Sequence, residues 1–419
     1  MSVTMEPGLS FRTNACRVCR STALAPILSL APTPPANAFL RPEEVEKPEP
    51  HFPLELLFCE TCRFVQLGDV VSPELLFGTY VYVSSTSPVF VAHFEELAET
   101  LTRRFDFPPN SLAVDIGSND GILLRPLAER GWRVLGIDPA REIAARASGA
   151  GVETIPAFFS TTLACALAEE RGGAKLISAT SVFPHVHDLD DLVAGVAALL
   201  DEDGVFVIEA YYLGAMLRHN LFDTVYHEHL SYFTLRSLMR LFERLGMSVF
   251  DVEETETHGG SLRVFVSPAG RRPLNHAALR RVLDEEDASA LGERATYAAF
   301  GERIERNKRA LRTLLLSLKE SGKRLAGYGA PAKGNTLLTH FGIGAETLDY
   351  IVDDSAWKQG RYTPGTHIRV VSAEALREAP PDYLLILAWN FAKPIMAKLA
   401  DFKAHGGRFI VPVPEPVVL

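Results

Sequence analysis

The densest group of titratable side chains lies in the segment DTVYHEHLSYF, where Tyr226, His227, Glu228 and His229 are consecutive. Imidazoles titrate near neutral pH and serve as general acids and bases, and a neighbouring carboxylate or phenol can orient them. In an extended segment, Tyr226 and Glu228 share one face, and the two histidines share the other. The group predicts proton-transfer chemistry. A metal site built on the His-x-His pair and a satisfied structural cluster are the alternatives.

Three further residues are candidate partners of this group. His185 follows the third predicted strand, in SVFPHVHDLDD, and Tyr80 and Tyr82 lie in GTYVYVSS. Doubly wound folds place ligands at the carboxyl ends of their strands, which makes His185 a candidate for the same site. A purely structural role for His185 is the alternative.

Two CxxC pairs, CRVC and CETC, lie within the first 62 residues. Each pair can direct two thiolates at one ion, and two pairs complete a tetrahedral zinc site with four protein ligands and no open position. The pattern predicts a structural zinc site formed by Cys16, Cys19, Cys59 and Cys62. Four unrelated reduced cysteines and a thioredoxin-like redox pair are the alternatives. The redox pair is disfavoured because neither CxxC follows a strand in a βαβ unit. Cys165, within LACALAEE, is predicted to be a core residue.

A glycine-rich turn, DIGSNDG, follows an apolar strand and places Asp115 at the end of that strand. The turn lacks the GxGxxG pattern of dinucleotide folds, and an acidic strand end suits a cationic ligand. Asp138 ends the next predicted strand, where a carboxylate can accept both ribose hydroxyls. This arrangement resembles the S-adenosylmethionine site of class I methyltransferases. A solvated Asp beside a glycine turn and an NAD site are the alternatives. The expected cofactor contacts are Asp115, Gly117, Ser118, Asn119, Gly121, Asp138, Phe158 and Ser178.

A second glycine-rich loop, GYGAPAKG, follows a short apolar run and precedes the helical pattern NTLLTHF. A strand, a glycine loop, a lysine and a helix N-terminus together favour an anion, although the spacing is not that of a Walker A loop. A strand–helix packing turn is the alternative. The loop HGGSLR gives a weaker signal of the same kind. The expected substrate contacts are Tyr82, His258, Gly260, Arg263, Tyr328, Ala330, Lys333 and Asn335.

The elements that must position these residues form two α/β units. Strand and helix patterns alternate from about 70 to 265, a charged helix pair follows at about 275–320, and the alternation resumes from 323. Such alternation predicts parallel, doubly wound sheets. The prolines between the CxxC pairs discourage helices and sheet ladders there, so the metal is expected to stabilise a loop-rich lobe. The predicted domains are 1–72, 73–270 and 271–419.

Composition excludes several classes of protein. The chain has 419 residues, of which 47% are hydrophobic and 22% charged, and 42 basic against 52 acidic residues give a net charge of −10. An acidic chain without a basic run does not suit phosphate-backbone binding, so no nucleic-acid partner is expected. The sequence contains no apolar window of about 18 residues that would predict a membrane span, and no secretory signal is readable. We therefore expect a cytoplasmic protein with reduced cysteines.

Taken together and in order, the motifs resemble the nucleotide-sugar C-methyltransferases that add branch methyl groups to deoxysugars. The resemblance covers essentially the whole chain and rests on the CxxC pairs, YVYVSSTS, DIGSNDG, FPHVHDL, DTVYHEHLSYF, THGGSLRVF, GYGAPAKGNTLL and VDDSAWKQGRYTPGTHI. It implies a zinc-stabilised N-terminal lobe, a Rossmann-like class I methyltransferase domain and a C-terminal α/β domain that helps to hold a nucleotide sugar.

The resemblance also implies an activity: methyl transfer from S-adenosylmethionine to C3 of a 4-keto-6-deoxy sugar carried by dTDP. His229 matches the family's proposed base, with Tyr80, His185, Tyr226 and Glu228 as supporting polar groups. The sequence departs from the family at Thr180-Ser181, where an Asn is expected a few residues before the His. The departure bears on the identity of the sugar and leaves a GDP sugar or another keto sugar open.

Three other functions fit parts of the pattern. A nicotinamide-dependent sugar-nucleotide oxidoreductase is disfavoured because no strand is followed by GxGxxG. An O- or N-methyltransferase would need a hydroxyl or amine acceptor on the same substrate class. A zinc-ribbon scaffold that binds a nucleotide without catalysis does not explain the group at residues 226–229.

Overall fold

The computed structural model describes residues 8–77 and 83–419. The N-terminal lobe is mainly antiparallel sheet, and two helices lead from it into the central region. Its elements are β1 (Ser10–Arg12), β2 (Leu24–Thr33), β3 (Phe52–Cys59), β4 (Val65–Leu67), β5 (Asp69–Val71), α1 (Pro73–Phe77) and α2 (Pro88–Phe105).

One expectation for this lobe holds only for residues 34–51, which form no strand and no α-helix. The proline-rich segment between the cysteine pairs was expected to avoid sheet ladders, but β2 extends to Thr33 and pairs antiparallel with β3. The ladder shifts register between Pro26 and Leu28 and again between Leu30 and Thr33. Proline cannot donate to a ladder, and such irregularities let the strand pass its prolines without losing the pairing.

The central region is a seven-stranded sheet with helices on both faces. Its strands are β6 (Leu112–Ile116), β7 (Arg133–Ile137), β8 (Thr154–Ile155), β9 (Ala174–Thr180), β10 (Leu200–Tyr211), β12 (Met247–Thr255) and β13 (Ser261–Pro268), with the separate β11 (Ser231–Tyr232). Its helices are α3 (Leu124–Glu129), α4 (Arg141–Gly149), α5 (Thr161–Arg171), α6 (Leu189–Leu199), α7 (Leu213–Arg218) and α8 (Leu235–Arg244).

The strand order in this sheet is β12-β13-β10-β9-β6-β7-β8. The run from β10 to β8 is parallel, whereas β13 pairs antiparallel with β10 and with β12. Alternate residues of the parallel strands enter the cores on the two faces: Val114 and Ile177 on one, Ala113 and Leu176 on the other. Both faces are therefore covered, as a parallel sheet requires.

The C-terminal region begins with the helix pair α9 (His276–Ala288) and α10 (Arg294–Glu320) and continues as a six-stranded sheet. The strands are β14 (Leu325–Tyr328), β15 (Ile351–Val352), β16 (Val370–Val371), β17 (Tyr383–Ile386), β18 (Arg408–Val411) and β19 (Val417–Val418). The helices are α11 (Ala332–Phe341), α12 (Ala375–Glu378), α13 (Ala392–Lys398) and α14 (Ala400–Ala404).

One strand of the central region crosses into the N-terminal lobe. β11 pairs antiparallel with β4 and completes a four-stranded sheet in the order β11-β4-β3-β2. The segment just before β11 carries His229, so the lobe helps to hold that segment in place. Among the helices formed by residues 8–77 and 83–419, none combines the length and the apolar character needed to cross a membrane.

Candidate active site

The four cysteines of the two CxxC pairs meet in the N-terminal lobe. Their sulfur atoms all lie within 4.8 Å of one another, with Cys16 and Cys62 Sγ atoms 3.5 Å apart and those of Cys19 and Cys59 also 3.5 Å apart. Tetrahedral zinc with bonds of about 2.3 Å to sulfur needs sulfur–sulfur distances of about 3.8 Å, and this cluster fits that requirement. Four protein ligands leave no open position, which makes this a structural zinc site. Cys165, expected in the core, is exposed.

A large cavity opens at the carboxyl ends of the parallel strands of the central sheet. Its volume is about 540 Å³, and its walls come from the central region, from the N-terminal lobe through Asn37 and from the C-terminal region through Lys333. Asp115 in β6, Asp138 after β7 and Tyr211 in β10 line it. Doubly wound sheets bind ligands at this edge, so the cavity is where their topology favours a site.

At one end of the cavity, Asp115 accepts a hydrogen bond of 2.6 Å from Ser178 Oγ. Burial raises the pKa of Asp115 to about 7. Gly117 has a φ of +70°, and a Cβ there would lie 2.2 Å from the Val182 side chain, so only glycine lets the turn follow the cavity wall. The carboxylate is thus held at the surface of a close-fitting turn.

Asp138 lies beside this turn and organises it. Its carboxylate accepts the backbone N–H of Asn119 and that of Ala140, each at 2.9 Å, and burial raises its pKa. Ser118 Oγ lines the cavity and is buried without a hydrogen-bond partner among residues 8–77 and 83–419. Phe158 covers the same end and is half exposed. Two carboxylates, an orphaned hydroxyl and an aromatic lid fit the amine, ribose and adenine of S-adenosylmethionine.

The segment that carries the histidine pair is turned rather than extended. The N–H of His229 donates to the carbonyl of Tyr226 at 2.9 Å, which closes a tight turn. The expected alternation of faces is therefore wrong. Tyr226, Glu228 and His229 line the cavity together, whereas His227 points away and its Nε2 donates to the carbonyl of Phe52 at 3.3 Å.

His229 lies at the centre of a group of rings. Its Nδ1 is 2.6 Å from the carbonyl oxygen of Thr224. Ring centroids of Tyr226, Tyr211 and His185 lie 4.0, 4.4 and 5.0 Å from that of His229. Burial lowers the pKa of His185 to about 4, so this neighbour is a neutral imidazole at neutral pH. Tyr80 and Tyr82, expected here, lie outside the described residues.

Glu228 is a buried carboxyl with one amide partner. Asn37 Nδ2 donates to its Oε1 at 2.7 Å, and burial raises the pKa of Glu228 to about 7. Asn37 comes from the loop between β2 and β3 of the N-terminal lobe. The carboxyl therefore titrates near neutral pH at the point where the lobe closes over the cavity.

The opposite end of the cavity carries two lysines. Lys333, in the first turn of α11, donates to Asn390 Oδ1 at 2.6 Å and lies 3.6 Å from the ring centre of Trp389. Lys358 donates to the carbonyl of Ala330 at 2.8 Å. Burial lowers the pKa of Lys333 to about 8 and also lowers that of Lys358. Buried ammonium groups beside a helix N-terminus suit a phosphorylated ligand.

Of the other expected substrate contacts, the five whose side chains or backbone the structure describes, Gly260, Arg263, Tyr328, Ala330 and Asn335, are not among the residues that line this cavity. Arg263 forms ion pairs with Glu209 at 3.0 Å and Glu253 at 3.3 Å. Asn335 Nδ2 donates to the carbonyl of Ala36 at 2.7 Å, and Tyr328 donates weakly to Asp354 at 3.4 Å.

At Ala330, Gly260 and Gly121, the described contacts involve the backbone. The N–H of Ala330 donates to Asp353 at 2.7 Å, and a Cβ at Gly260 would lie 2.4 Å from Ala215. Gly121 has a φ of +78° and packs against Val152 behind the cofactor turn. The side chain of His258 lies outside the described part of the chain.

Sequence reasoning missed several polar residues that line the cavity, among them Asn37, Tyr211, Lys358 and Asn390. Lys358 lies in the motif VDDSAWKQGRYTPGTHI, so that motif held a usable signal. Asn37 lies in a proline-rich loop that gave no local indication of a site. Its role depends on a contact with a residue 191 positions away.

Comparison with known families agrees with this arrangement. Three family models match the chain: a putative zinc-binding domain at residues 16–77, a methyltransferase domain at 91–252 and a C-methyltransferase C-terminal domain at 256–414. The C-methyltransferase NovU of Streptomyces niveus is 39% identical over 404 residues, which cover 96% of each chain.

Solved structures resemble the central region only distantly. A protein of Pyrococcus horikoshii OT3 is 15% identical, with a TM-score of 0.36 over 46% of this chain and 97% of its own. The magnesium protoporphyrin IX methyltransferase of Synechocystis, solved with S-adenosylmethionine, is 15% identical, with a TM-score of 0.32 over 45% of this chain and 84% of its own. Likeness at this level carries no inference about the present chain.

One conclusion follows from the 39% sequence identity to NovU over 96% of each chain, from the order of the three family models and from the cavity that their residues line. The chain belongs to the C-methyltransferase family and is an S-adenosylmethionine-dependent C-methyltransferase with a structural zinc site.

Proposed function

We propose that this enzyme methylates C3, the carbon next to the ketone, of a nucleotide-linked 4-keto-6-deoxy sugar, and that it does so through an enolate. The observation that carries the proposal is the setting of His229. His229 lines the same cavity as Asp115 and the half-buried Lys333, with its Nδ1 hydrogen-bonded to a carbonyl oxygen. A base, a site for a cationic cofactor and a site for an anion thus share one cavity.

His229 is the proposed base. A carbonyl oxygen only accepts hydrogen bonds, so the contact with Thr224 requires a proton on Nδ1 and leaves the lone pair of the neutral ring on Nε2. Carbon next to a ketone is weakly acidic, and its deprotonation needs a base whose pKa lies near the working pH. The proton of C3 passes to Nε2, and the electron pair of the C–H bond becomes the enolate.

Donors near His229 are proposed to stabilise the enolate oxygen at C4. His185 is neutral, since burial lowers its pKa to about 4, and a neutral imidazole carries one N–H. Tyr226 supplies a phenol on the other side of His229, and Tyr80 is a further candidate. Burial raises the pKa of Glu228 to about 7, so below that pH its carboxyl offers one O–H donor while its Oε1 accepts from Asn37. Donors held in a buried cavity stabilise a developing oxyanion strongly.

The proposed cofactor site is the Asp115 turn. Asp115 would face the amine, Asp138 the ribose hydroxyls and Phe158 the adenine, with Gly117, Ser118 and Asn119 along the backbone and with Gly121 and Ser178 supporting them from behind. Bound S-adenosylmethionine supplies an electrophilic methyl group. The enolate carbon would form the new C–C bond as the methyl–sulfur bond breaks, with S-adenosylhomocysteine as the leaving group. The protein mainly contributes position, exclusion of water and the base.

The nucleotide diphosphate is proposed to lie at the lysine end. Lys333 and Lys358 are half-buried cationic side chains, and the first residues of α11, Ala332 and Lys333, line the cavity. We assign this end to residues 271–419, the methyl-transfer chemistry to 73–270 and the metal lobe to 1–72. Tyr82 and His258, whose side chains lie outside the described part of the chain, remain candidate substrate contacts, whereas Gly260, Arg263, Tyr328, Ala330 and Asn335 do not line this cavity.

The Thr180-Ser181 departure is proposed to tune the choice of sugar. Ser181 lines the cavity and holds a left-handed φ of 57°, a conformation that Asn adopts more readily than Ser. The hydroxymethyl group is shorter than the Asn side chain, which leaves more room beside the acceptor carbon. dTDP remains the first nucleotide to test, with GDP sugars as the comparison.

The experiment is mass spectrometry of products from S-adenosylmethionine and a panel of dTDP- and GDP-linked 4-keto-6-deoxy sugars. A gain of one methyl on carbon, located at C3 by NMR, is the expected result. A methyl group on oxygen or nitrogen would overturn the carbon acceptor. Transfer to a sugar that lacks a ketone would overturn the enolate.

A further inference from the structure

A buried arginine of the first CxxC pair contacts the segment that carries His229. Arg17 lies between Cys16 and Cys19 and is 1% exposed. Its Nη1 donates to the carbonyl of Leu67 at 2.9 Å and to that of Leu230 at 3.0 Å. Leu230 directly follows His229, so this side chain from the first CxxC pair holds the backbone next to the proposed base.

The same guanidinium reaches the segment after His185. Arg17 Nε donates to Nδ1 of His187 at 3.4 Å, and His187 lines the cavity. The N–H of Leu230 in turn donates to the carbonyl of Pro184 at 2.9 Å. Arg17 therefore lies where the His185 segment, the His229 segment and β4 meet. A shift of its side chain would move both histidine segments relative to the cofactor end.

The charge of Arg17 lacks an ordinary partner. In the described ranges, 8–77 and 83–419, no carboxylate forms an ion pair with it, and its Nη2 has no hydrogen-bond partner. Cys16, the residue before it and one of the four cysteines of the cluster, would stabilise this charge as a thiolate. An uncompensated buried cation is costly, so a native fold that keeps one needs a counter-charge close by.

The metal centre provides that counter-charge. Four thiolates around Zn²⁺ leave a net charge of about −2 on the cluster. Arg17 adjoins one of those thiolates in the chain. Zinc loading would therefore supply an anionic cluster next to this residue in the chain, and the guanidinium would offset part of the excess negative charge on the sulfur atoms.

We propose that Arg17 is a positioning residue whose charge is balanced by the zinc–thiolate cluster and whose two carbonyl contacts set the placement of the His229 segment. The zinc lobe then does more than hold its own fold together, because it orients the active site through this side chain. The part of the inference that concerns turnover rests on the proposed role of His229. The part that concerns charge and placement does not.

The test uses zinc-loaded full-length protein and three substitutions. Arg17→Met removes the charge at similar size. Arg17→Lys keeps the charge but loses the planar guanidinium that contacts Leu67, Leu230 and His187. Arg20→Met is the matched control. Arg20 adjoins Cys19 in the same way, but its guanidinium pairs with Asp188 and Asp190 at the surface. The measurements are zinc release to a chromogenic chelator, hydrogen exchange of peptides covering 222–232, and kcat with KM for S-adenosylmethionine.

Residues that orient metal ligands typically cost about 10- to 100-fold in metal affinity or activity when replaced. We expect Arg17→Met to release zinc faster by about that factor, to lose protection at 222–232 and to lower kcat by about that factor, with KM for S-adenosylmethionine within about twofold. Arg17→Lys should retain zinc but still expose 222–232 and lower kcat. Arg20→Met should match the wild type in every measurement.

Several outcomes would overturn the inference. Zinc release and exchange in Arg17→Met equal to those of Arg20→Met would remove both of its parts. If Arg17→Met does not fold, Arg17→Lys decides between the two parts. Rapid zinc loss from that variant contradicts the charge balance, and full protection of 222–232 contradicts a positioning role for the two carbonyl contacts. Zinc release and exchange need no sugar. They therefore remain decisive even if the proposed acceptor is wrong.

Discussion

His229 and Thr224 are joined by a hydrogen bond of 2.6 Å from the imidazole Nδ1–H to the backbone carbonyl oxygen. The tight turn between them brings the ring back over its own chain, so the contact is local and rigid. Because the carbonyl can only accept, the neutral ring keeps its lone pair on Nε2. The bond also holds the ring in one orientation, as a hydrogen bond from the other ring nitrogen of a catalytic histidine commonly does.

The affinity for S-adenosylmethionine should fall as the pH is lowered. Burial raises the pKa of Asp115 to about 7, and a cationic ligand favours the ionised carboxylate. Between pH 7 and 5.5 the ligand amine stays protonated, so Asp115 is the group that titrates, and Kd should rise up to about tenfold per pH unit. Isothermal titration calorimetry measures this. Asp115→Asn should bind weakly with a flat profile, and a variant that kept the wild-type slope would contradict the assignment.

Glu228 should make the protein less stable as the pH rises. Its folded pKa is raised to about 7 by burial, above the ordinary value for Glu, so the folded state binds the proton more tightly than the unfolded chain. The resulting stability is present below about pH 4.3, is lost as the pH rises to about 7, and amounts to about 4 kcal/mol at most.

Glu228→Gln should therefore gain in Tm relative to the wild type as the pH is raised from 4.5 to 8. Differential scanning fluorimetry across that range checks this. Glu43→Gln, at an exposed position, is the control and should show no trend. A constant offset between Glu228→Gln and the wild type would mean that the carboxyl does not titrate in the folded protein.

Loss of one zinc ligand should destabilise the N-terminal lobe. Cys59→Ser leaves three thiolates in the cluster, and structural zinc sites contribute directly to folding. Elemental analysis should find less than one zinc per chain, and hydrogen exchange should increase across 10–71. Cys165→Ser is the control because Cys165 is exposed and lies outside the cluster. Equal zinc content in the two variants would contradict the four-cysteine site.

Lys333→Met should weaken the binding of the nucleotide sugar. Lys333 is a buried ammonium group at the N-terminus of α11, and its removal deletes a charge-assisted contact worth about 1.5–3 kcal/mol, or roughly 10- to 100-fold in KM. Lys398→Met is the control, because Lys398 is half exposed and pairs with Asp354. KM for S-adenosylmethionine should not change in either variant. An unchanged KM for the sugar in Lys333→Met would place the diphosphate elsewhere.

Local patterns were enough to predict much of this molecule. Asp115 and Asp138 lie at the ends of apolar strands, so strand and glycine signals located the turn after β6 that lines the cavity within a few residues. The cysteine pairs likewise gave the metal ligands from spacing alone, because tetrahedral zinc constrains which donors can meet.

Contacts between distant segments could not be predicted in this way. The turn at Tyr226 and His229 depends on the pairing of β11 with β4, so an extended segment was the natural but incorrect expectation. Arg263 looked available for an anion until β10 brought Glu209 against it. Asn37 reaches Glu228 across a domain boundary, and nothing in its proline-rich surroundings indicated that contact.

The most direct test of the central claim is exchange of the C3 proton without methyl transfer. The protein would be incubated in deuterated water with S-adenosylhomocysteine and a dTDP-linked 4-keto-6-deoxy sugar, and carbon-bound deuterium followed by NMR. A general base contributes about 10²- to 10⁴-fold, so His229→Asn should slow exchange by about that factor. His227→Asn, whose ring faces the carbonyl of Phe52, should exchange at close to the wild-type rate. Wild-type exchange by His229→Asn, with the cofactor product still bound, would contradict His229 as the base.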